Sequence, residues 1–155
     1  MNVQRFLTQR DIWFETIEHD PTYDAHSLAQ AVHVMDQEVA KPILLRADDG
    51  YVLVIVPASC DVDLREVKSV LGAERVMLAS EADCAHEFLD CEFGARLPFG
   101  SQYGLRTVMD ERLREDDEIV FEGNSHEQAI RMNLHDFMRL EQPFVADVST
   151  PQCFD

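Results

Sequence analysis

Lys41, one of only two lysines in the chain, lies inside the apolar stretch VAKPILLR. An ammonium group placed there has two outcomes. It can run along the apolar surface and reach solvent, since lysine is almost never fully buried without a partner. It can instead face a pocket as a fixed cation for an anionic or carbonyl ligand. Pro42 removes a backbone donor, which places this end of the strand at a sheet edge or at the mouth of a cavity. The second stretch is FLDCEFGARLPFG, residues 88–100. Within it, Gly94-Ala95-Arg96-Leu97-Pro98 has a glycine that permits unusual dihedrals and a proline that stiffens the exit. Successive backbone N–H groups in such a loop can point inward and bind a carbonyl oxygen or an anion. Taken alone, Gly-x-x-x-Pro is also the pattern of ordinary turns.

Two histidines stand close to these features. His126, in GNSHEQAI after an apolar strand, is either an exposed loop residue or part of a pocket. His26 precedes a helix start ahead of Lys41 and belongs either to the cap or to a pocket wall. No Ser-His-Asp or Cys-His arrangement stands in a persuasive context. Cys84 with His86, or Cys91 with Asp90 and Glu92, lacks the paired spacing of a zinc site, so neither a metal nor a cofactor is expected.

The elements that must position these residues can be read from periodicity and breakers. Val39–Arg46 and Tyr51–Pro57 are rich in β-branched residues, and Ala47-Asp48-Asp49-Gly50 between them predicts an antiparallel hairpin. A short helix is expected over Val3–Thr8, an extended stretch over Trp13–Glu18, and a helix capped by Ser27 running to about Val34. Asp61 or Asp63 caps a helix that ends at Gly72, and Ser80 caps another running toward Phe88. Arg75–Ala79, Leu105–Met109, Glu118–Glu122 and Ala129–Asn133 read as strands, and His135–Leu140 as a short helix before an irregular tail. Short helices among more numerous strands in mixed order define an α+β class, with a twisted, barrel-like sheet flanked by helices.

The ordered set matters more than any one piece. Lys41 in a hairpin strand is followed by Pro57-Ala58, Asp63-Leu64, Gly-x-x-x-Pro-Phe-Gly at Gly94–Gly100, and Val108-Met109-Asp110. From about Asp24 to Leu140 this resembles the YbaK/prolyl-tRNA synthetase-associated editing-domain family. The resemblance implies one YbaK-like domain over residues 1–155, with 1–23 an N-terminal extension and 141–155 a C-terminal tail. It implies hydrolysis of wrongly attached amino acids from tRNA, in a cavity beside the Gly-x-x-x-Pro loop.

On this reading Lys41 matches the family's essential lysine, and Gly94 the segment whose backbone holds the aminoacyl carbonyl. Ala95, Arg96, Leu97 and Pro98 complete a substrate-binding loop, and Arg96 is placed to meet a tRNA phosphate. His126 falls near a pocket histidine of some members, while Asp110 is structural. A hydroxyl of the terminal ribose helps to activate the water, so no protein base is required. Pro42 stands where several branches carry a polar residue that touches substrate, which leaves the amino acid open; a small pocket would favour alanine or serine.

Composition bounds these readings. At 155 residues the chain has the length of one domain with its own core, and its 46% hydrophobic content excludes general disorder. No apolar run approaches the roughly 20 residues of a membrane helix. The polar N-terminus and the absence of a CxxC pair among Cys60, Cys84, Cys91 and Cys153 point to a reduced, cytoplasmic protein. A formal net charge of −17 repels nucleic acid at long range, so DNA is not an expected partner. Contact with aminoacyl-tRNA then requires a local basic patch, from Arg96 and more weakly Arg46, Arg106 or Arg131, or a partner synthetase. The same acidity supports a second reading: a non-catalytic module that binds aminoacyl-tRNA or a small ligand and regulates a synthetase.

Overall fold

The computed structural model describes residues 1–152. Its centre is the hairpin of β2 (Ala40–Ala47) and β3 (Gly50–Pro57), paired antiparallel in register from Ala40 opposite Pro57 to Ala47 opposite Gly50. Every residue of β3 from Val52 to Pro57 is buried. Continuous rather than alternating apolar sequence is what a strand covered on both faces requires. On one side β3 pairs in parallel with β6 (Arg106–Asp110), which pairs in parallel with β9 (Phe144–Ala146). On the other, β2 pairs with β5 (Val76–Leu78), giving the order β5-β2-β3-β6-β9.

A second, antiparallel sheet has the order β1-β8-β7, from β1 (Phe14–Glu18), β7 (Glu118–Glu122) and β8 (Gln128–Asn133). A parallel bridge between Val39 and Val120 ties the two sheets beside the start of β2. β4 (Cys60–Val62) and β10 (Ser149–Pro151) form a two-stranded ribbon. The α+β class is borne out. The strands form separate sheets that end at β5 and β9, so the barrel is not closed.

Among the described residues, five helices cover these sheets. α1 (Val3–Gln9) and α5 (Leu134–Glu141) pack on the core between the sheets, where Phe6, Ile55, Phe99, Met109, Phe121 and Phe137 meet. Phe99 is its hub, with ring centroids 5.3 Å from Phe6, 5.6 Å from Phe121 and 5.3 Å from Phe137, all edge to face. α3 (Leu64–Leu71) starts at an Asp63 cap, ends at Gly72, and covers the valine-rich face formed by Val52, Val54, Val56 and Val108. α4 (Glu81–Glu87) carries the expected Ser80 cap and buries Cys84 against Leu44 and Leu53.

Two expectations change. α2 spans Ala25–Ala31 and is capped by Asp24, whose carboxylate accepts the Ser27 N–H at 2.8 Å and the Ser27 hydroxyl at 3.0 Å. Ser27 is therefore inside the first turn, because the aspartate three residues earlier offers the better-placed acceptor. The tail is not irregular through 151, since Phe144–Ala146 and Ser149–Pro151 complete β-pairings. Residues 1–23 supply α1 and β1, and Val3, Phe6 and Leu7 enter the main core. Trp13 remains half exposed, while Cys153 lies outside the described residues. No helix among the described residues is long and apolar enough to cross a membrane.

Candidate active site

A cavity of about 190 Å³ opens where the start of β2, the segment leading into α2, the Gly94 loop and the end of β7 converge. Lys41, Pro42, Gly94, Arg96 and Glu122 contribute to its lining, together with Tyr23 and Asp24. Lys41 and Gly94 are distant in sequence, and the fold brings them to one cavity.

Lys41 sits where β2 has lost its outer neighbour, since β5 pairs only with Leu45–Ala47. Its Nζ donates to the Cys60 carbonyl at 2.7 Å and lies 3.9 Å from Asp61 Oδ1. Burial lowers its pKa from the ordinary lysine value, opposed by the charges of Asp61, Cys60 and Asp24. The ammonium thus lies on the cavity wall, held by one carbonyl, rather than extended into solvent. Pro42 is buried and lines the cavity.

The loop divides its side chains between two directions. Gly94 and Arg96 line the cavity. Ala95, Leu97 and Pro98, expected at the substrate, are buried, with Leu97 in the main core beside Phe99. A rigid exit anchored by Phe99 turns these apolar side chains inward, so only their backbone is available to a ligand. The Ala95 N–H already donates to the Glu92 carbonyl at 2.8 Å. Gly94 has φ of +88°, and a Cβ there would come within 3.4 Å of His126 Nε2. Gly100 is required by space, since a Cβ would collide with Thr107 Oγ1.

Arg96 does not reach outward for phosphate. Its Nε donates to the Pro42 carbonyl at 3.2 Å and its Nη1 approaches Cys84 Sγ at 3.4 Å, fastening the loop to β2. Arg46 lies over the Tyr51 ring, and Arg131 pairs with Glu15 at 3.6 Å. Neither they nor Arg106 line the cavity.

His126 is 5% exposed and packs beneath Gly94. Its Nδ1 is 2.5 Å from Glu122 Oε1, its Nε2 is 2.7 Å from the Phe93 carbonyl, and its ring lies 4.8 Å from Tyr23. The Thr22 N–H donates to the His126 carbonyl, and the His126 N–H donates to Glu92. His126 is therefore a buried brace joining three walls of the cavity. His26 is not on the lining. It is half exposed and meets Asp36 at 2.8 Å, tying α2 to the 3-10 turn Asp36–Glu38. Asp110 is fully buried and accepts from the backbone of Arg112 and Val148, a structural role. Burial pushes the Cys91 thiol up, the behaviour of a packing residue.

Glu122 is the residue that motif reading missed. Burial pushes its carboxyl up to about 7, against the pull of His126 and Arg96. Alternation does not single it out: in EIVFE, Glu118 has the same phase, and Ile119, Val120 and Phe121 are all buried.

Similarity to known proteins follows the same outline. The family model described as the aminoacyl-tRNA editing domain matches residues 19–140. The multifunctional Ser/Thr-tRNA deacylase ProXp-y of Escherichia coli is 28% identical over 142 residues, covering 88% of this chain and 84% of that protein. A proline–tRNA ligase of Bacillus velezensis is 31% identical over 100 residues, 64% of this chain but only 18% of the ligase. A solved structure of a candidate trans-editing enzyme for prolyl-tRNA synthetase superposes with a TM-score of 0.84 at 22% identity, over 96% of this chain and 94% of the other, a likeness of fold. The resemblance read from Lys41, the Gly94 loop and Asp110 is borne out: the chain belongs to the aminoacyl-tRNA editing domain family.

Proposed function

We propose that this protein hydrolyses the ester of mischarged aminoacyl-tRNA in trans, with Lys41 and the Gly94–Pro98 loop forming its working site. The observation that carries this reading is the convergence of Lys41 and Gly94 on one small cavity. Backbone N–H groups around Gly94 hold the aminoacyl carbonyl, and the Lys41 ammonium offsets the negative charge that develops on attack by water. A charge held in a partly dry cavity acts more strongly than one in bulk water. Its donation to the Cys60 carbonyl orients the ammonium before substrate arrives, so little reorganisation remains for the reaction step.

At about 190 Å³ the cavity is below the roughly 300 Å³ where ordinary ligand pockets begin, which favours short side chains such as alanine or serine. The relative named for Ser/Thr-tRNA supports the same size class. A tRNA substrate fits a cytoplasmic protein, and the proline–tRNA ligase relative supports a synthetase as partner. With a net charge of −17, productive contact is confined to the acceptor end or assisted by that partner.

Deacylation of a panel of aminoacyl-tRNAs by wild type and Lys41→Ala tests this. Wild type hydrolyses one or a few small aminoacyl species, and the variant loses about 10²- to 10³-fold in rate. Binding of tRNA without hydrolysis of any species would establish the binding module instead.

A further inference from the structure

A proton must lie between Glu122 and His126, and the surrounding bonds show why. The Phe93 carbonyl can only accept, so His126 Nε2 carries a hydrogen. Were Glu122 ionised and His126 neutral, Nδ1 and Oε1 would face each other as two bare acceptors at 2.5 Å. One shared proton removes that conflict, whether it is drawn closer to nitrogen or to oxygen. Oε1 is occupied by this bond. Oε2 takes no hydrogen bond from the described residues, and Glu122 is on the cavity lining with Lys41 and Gly94.

Resting on the deacylase reading above, we infer that Glu122 is a further catalytic residue, carrying a proton on Oε2 between the attacking water and the departing ribose oxygen. Water attacks the ester carbonyl carbon as one of its protons passes to Oε2, directly or through the ribose hydroxyl. The shared proton then rests on His126, whose positive charge faces the Phe93 carbonyl and Glu92. When the tetrahedral intermediate collapses, the bond from carbonyl carbon to ribose oxygen breaks and Oε2 returns its proton to that oxygen. The products are the free amino acid and the tRNA hydroxyl, and Glu122 is regenerated without any further reactant.

The electrostatic setting suits a group that gives and takes a proton near neutrality. Burial raises the Glu122 carboxyl to about 7, and His126 and Arg96 restrain that rise while Glu92 adds to it. Lys41 from β2 and Asp24 from the α2 cap also face the cavity, and the Asp24 carboxylate is already occupied by Ser27. Burial opposes protonation of His126, but the Phe93 carbonyl, Glu122 and Glu92 together shift it upward. A base poised near the working pH is the efficient arrangement for proton transfer.

The test is single-turnover deacylation across pH 5.5–9 by wild type, Glu122→Gln and Lys41→Ala on one aminoacyl-tRNA species. The expected result is a roughly 10²-fold loss in rate for Glu122→Gln at unchanged tRNA affinity, with the ionisation near pH 7 gone from its profile. The substrate's own α-amino group titrates nearby and contributes to both profiles, so the difference between them is the reading. Full rate and an unchanged profile in Glu122→Gln, with active wild type and inactive Lys41→Ala, overturns this inference and leaves the Lys41 reading standing. A loss expressed only as weaker tRNA binding overturns it as well. An inactive wild type defeats the deacylase reading and this inference together. Should Glu122→Gln fail to fold, proton NMR of the wild type decides: a far-downfield resonance on His126 Nδ1 supports the shared proton, and its absence at pH 6 overturns it.

Discussion

The two walls of the cavity are built in opposite ways. The Lys41 wall is a regular strand, with eight consecutive register pairs to β3 and apolar cores on both faces. The Gly94 wall has no strand ladder. It stands on a left-handed glycine, one arginine bonded to a carbonyl, a buried histidine brace and the Phe99 anchor. Cooperative backbone pairing makes the first wall insensitive to any one side chain. Each support of the second is a single residue rather than one pair of a repeating ladder, so its loss is not shared along the chain. On the proposed function, positioning a cation needs only a stable strand, whereas aiming backbone donors at a reacting carbonyl requires a backbone shape that no regular element supplies.

The largest test of this contrast is removal of the anchor. Phe99→Ala leaves a void among three rings and should destabilise by about 3–5 kcal/mol, measured by chemical denaturation. Ile55→Val on β3, equally buried, should cost only about 1 kcal/mol. A Phe99→Ala loss well below about 3 kcal/mol would show that the loop wall does not rest on this anchor.

A pH series separates the walls next. The folded state holds the Glu122 proton more tightly than the unfolded chain, whose carboxyl titrates near 4.5, and His126 is shifted the same way. The unfolded state then binds fewer protons, so stability falls as pH rises. The Glu122 share is fully present below about 4.5 and lost by about 7, with the His126 share lost above its ordinary value of 6.5. The expected loss from the Glu122 share is about 2 kcal/mol, and Glu122→Gln should flatten it, checked by melting between pH 5 and 8. A variant with the wild-type slope would assign the effect to the remaining carboxylates.

Gly94→Ala should cost about 1–2 kcal/mol through its φ of +88° alone and crowd His126 Nε2. Deacylation should fall further than stability, because the loop shifts against its brace. The smallest effect is expected at the cap of α2. Asp24→Ala should cost about 1 kcal/mol and Ser27→Ala less, since only the aspartate meets the free helix N–H. A larger loss in Ser27→Ala would restore the serine as the cap.

Much of the strand wall was legible from residue order. Asp48-Asp49-Gly50 between two β-rich runs predicts the hairpin to within one residue at each end. Ser80, Asp63 and Gly72 mark helix ends because capping is a local matter of one side chain and a few N–H groups. Asp24 displaced Ser27 for the same local reason, and a comparison of the two acceptors over the first turn would have found it.

The loop wall was legible only as a motif. Arg96 could not be placed by spacing, because whether it reaches solvent or the Pro42 carbonyl depends on a strand 54 positions away. Ala95, Leu97 and Pro98 turned inward because Phe99 is anchored among rings drawn from α1, β7 and α5. Glu122 was passed over because a carboxylate at a strand end is usually solvated, and its burial depends on α2, β2 and the loop closing around it.

By itself, then, the sequence determined the local elements, the family, and the two residue sets that meet at the cavity, since caps, turns and hydrophobic periodicity act over a few positions. Tertiary structure alone decided which side chains line the cavity, that His126 is a brace, and that the Glu122 carboxyl lies against it. Burial and pairing across the chain set those outcomes, and no stretch of neighbouring residues contains them.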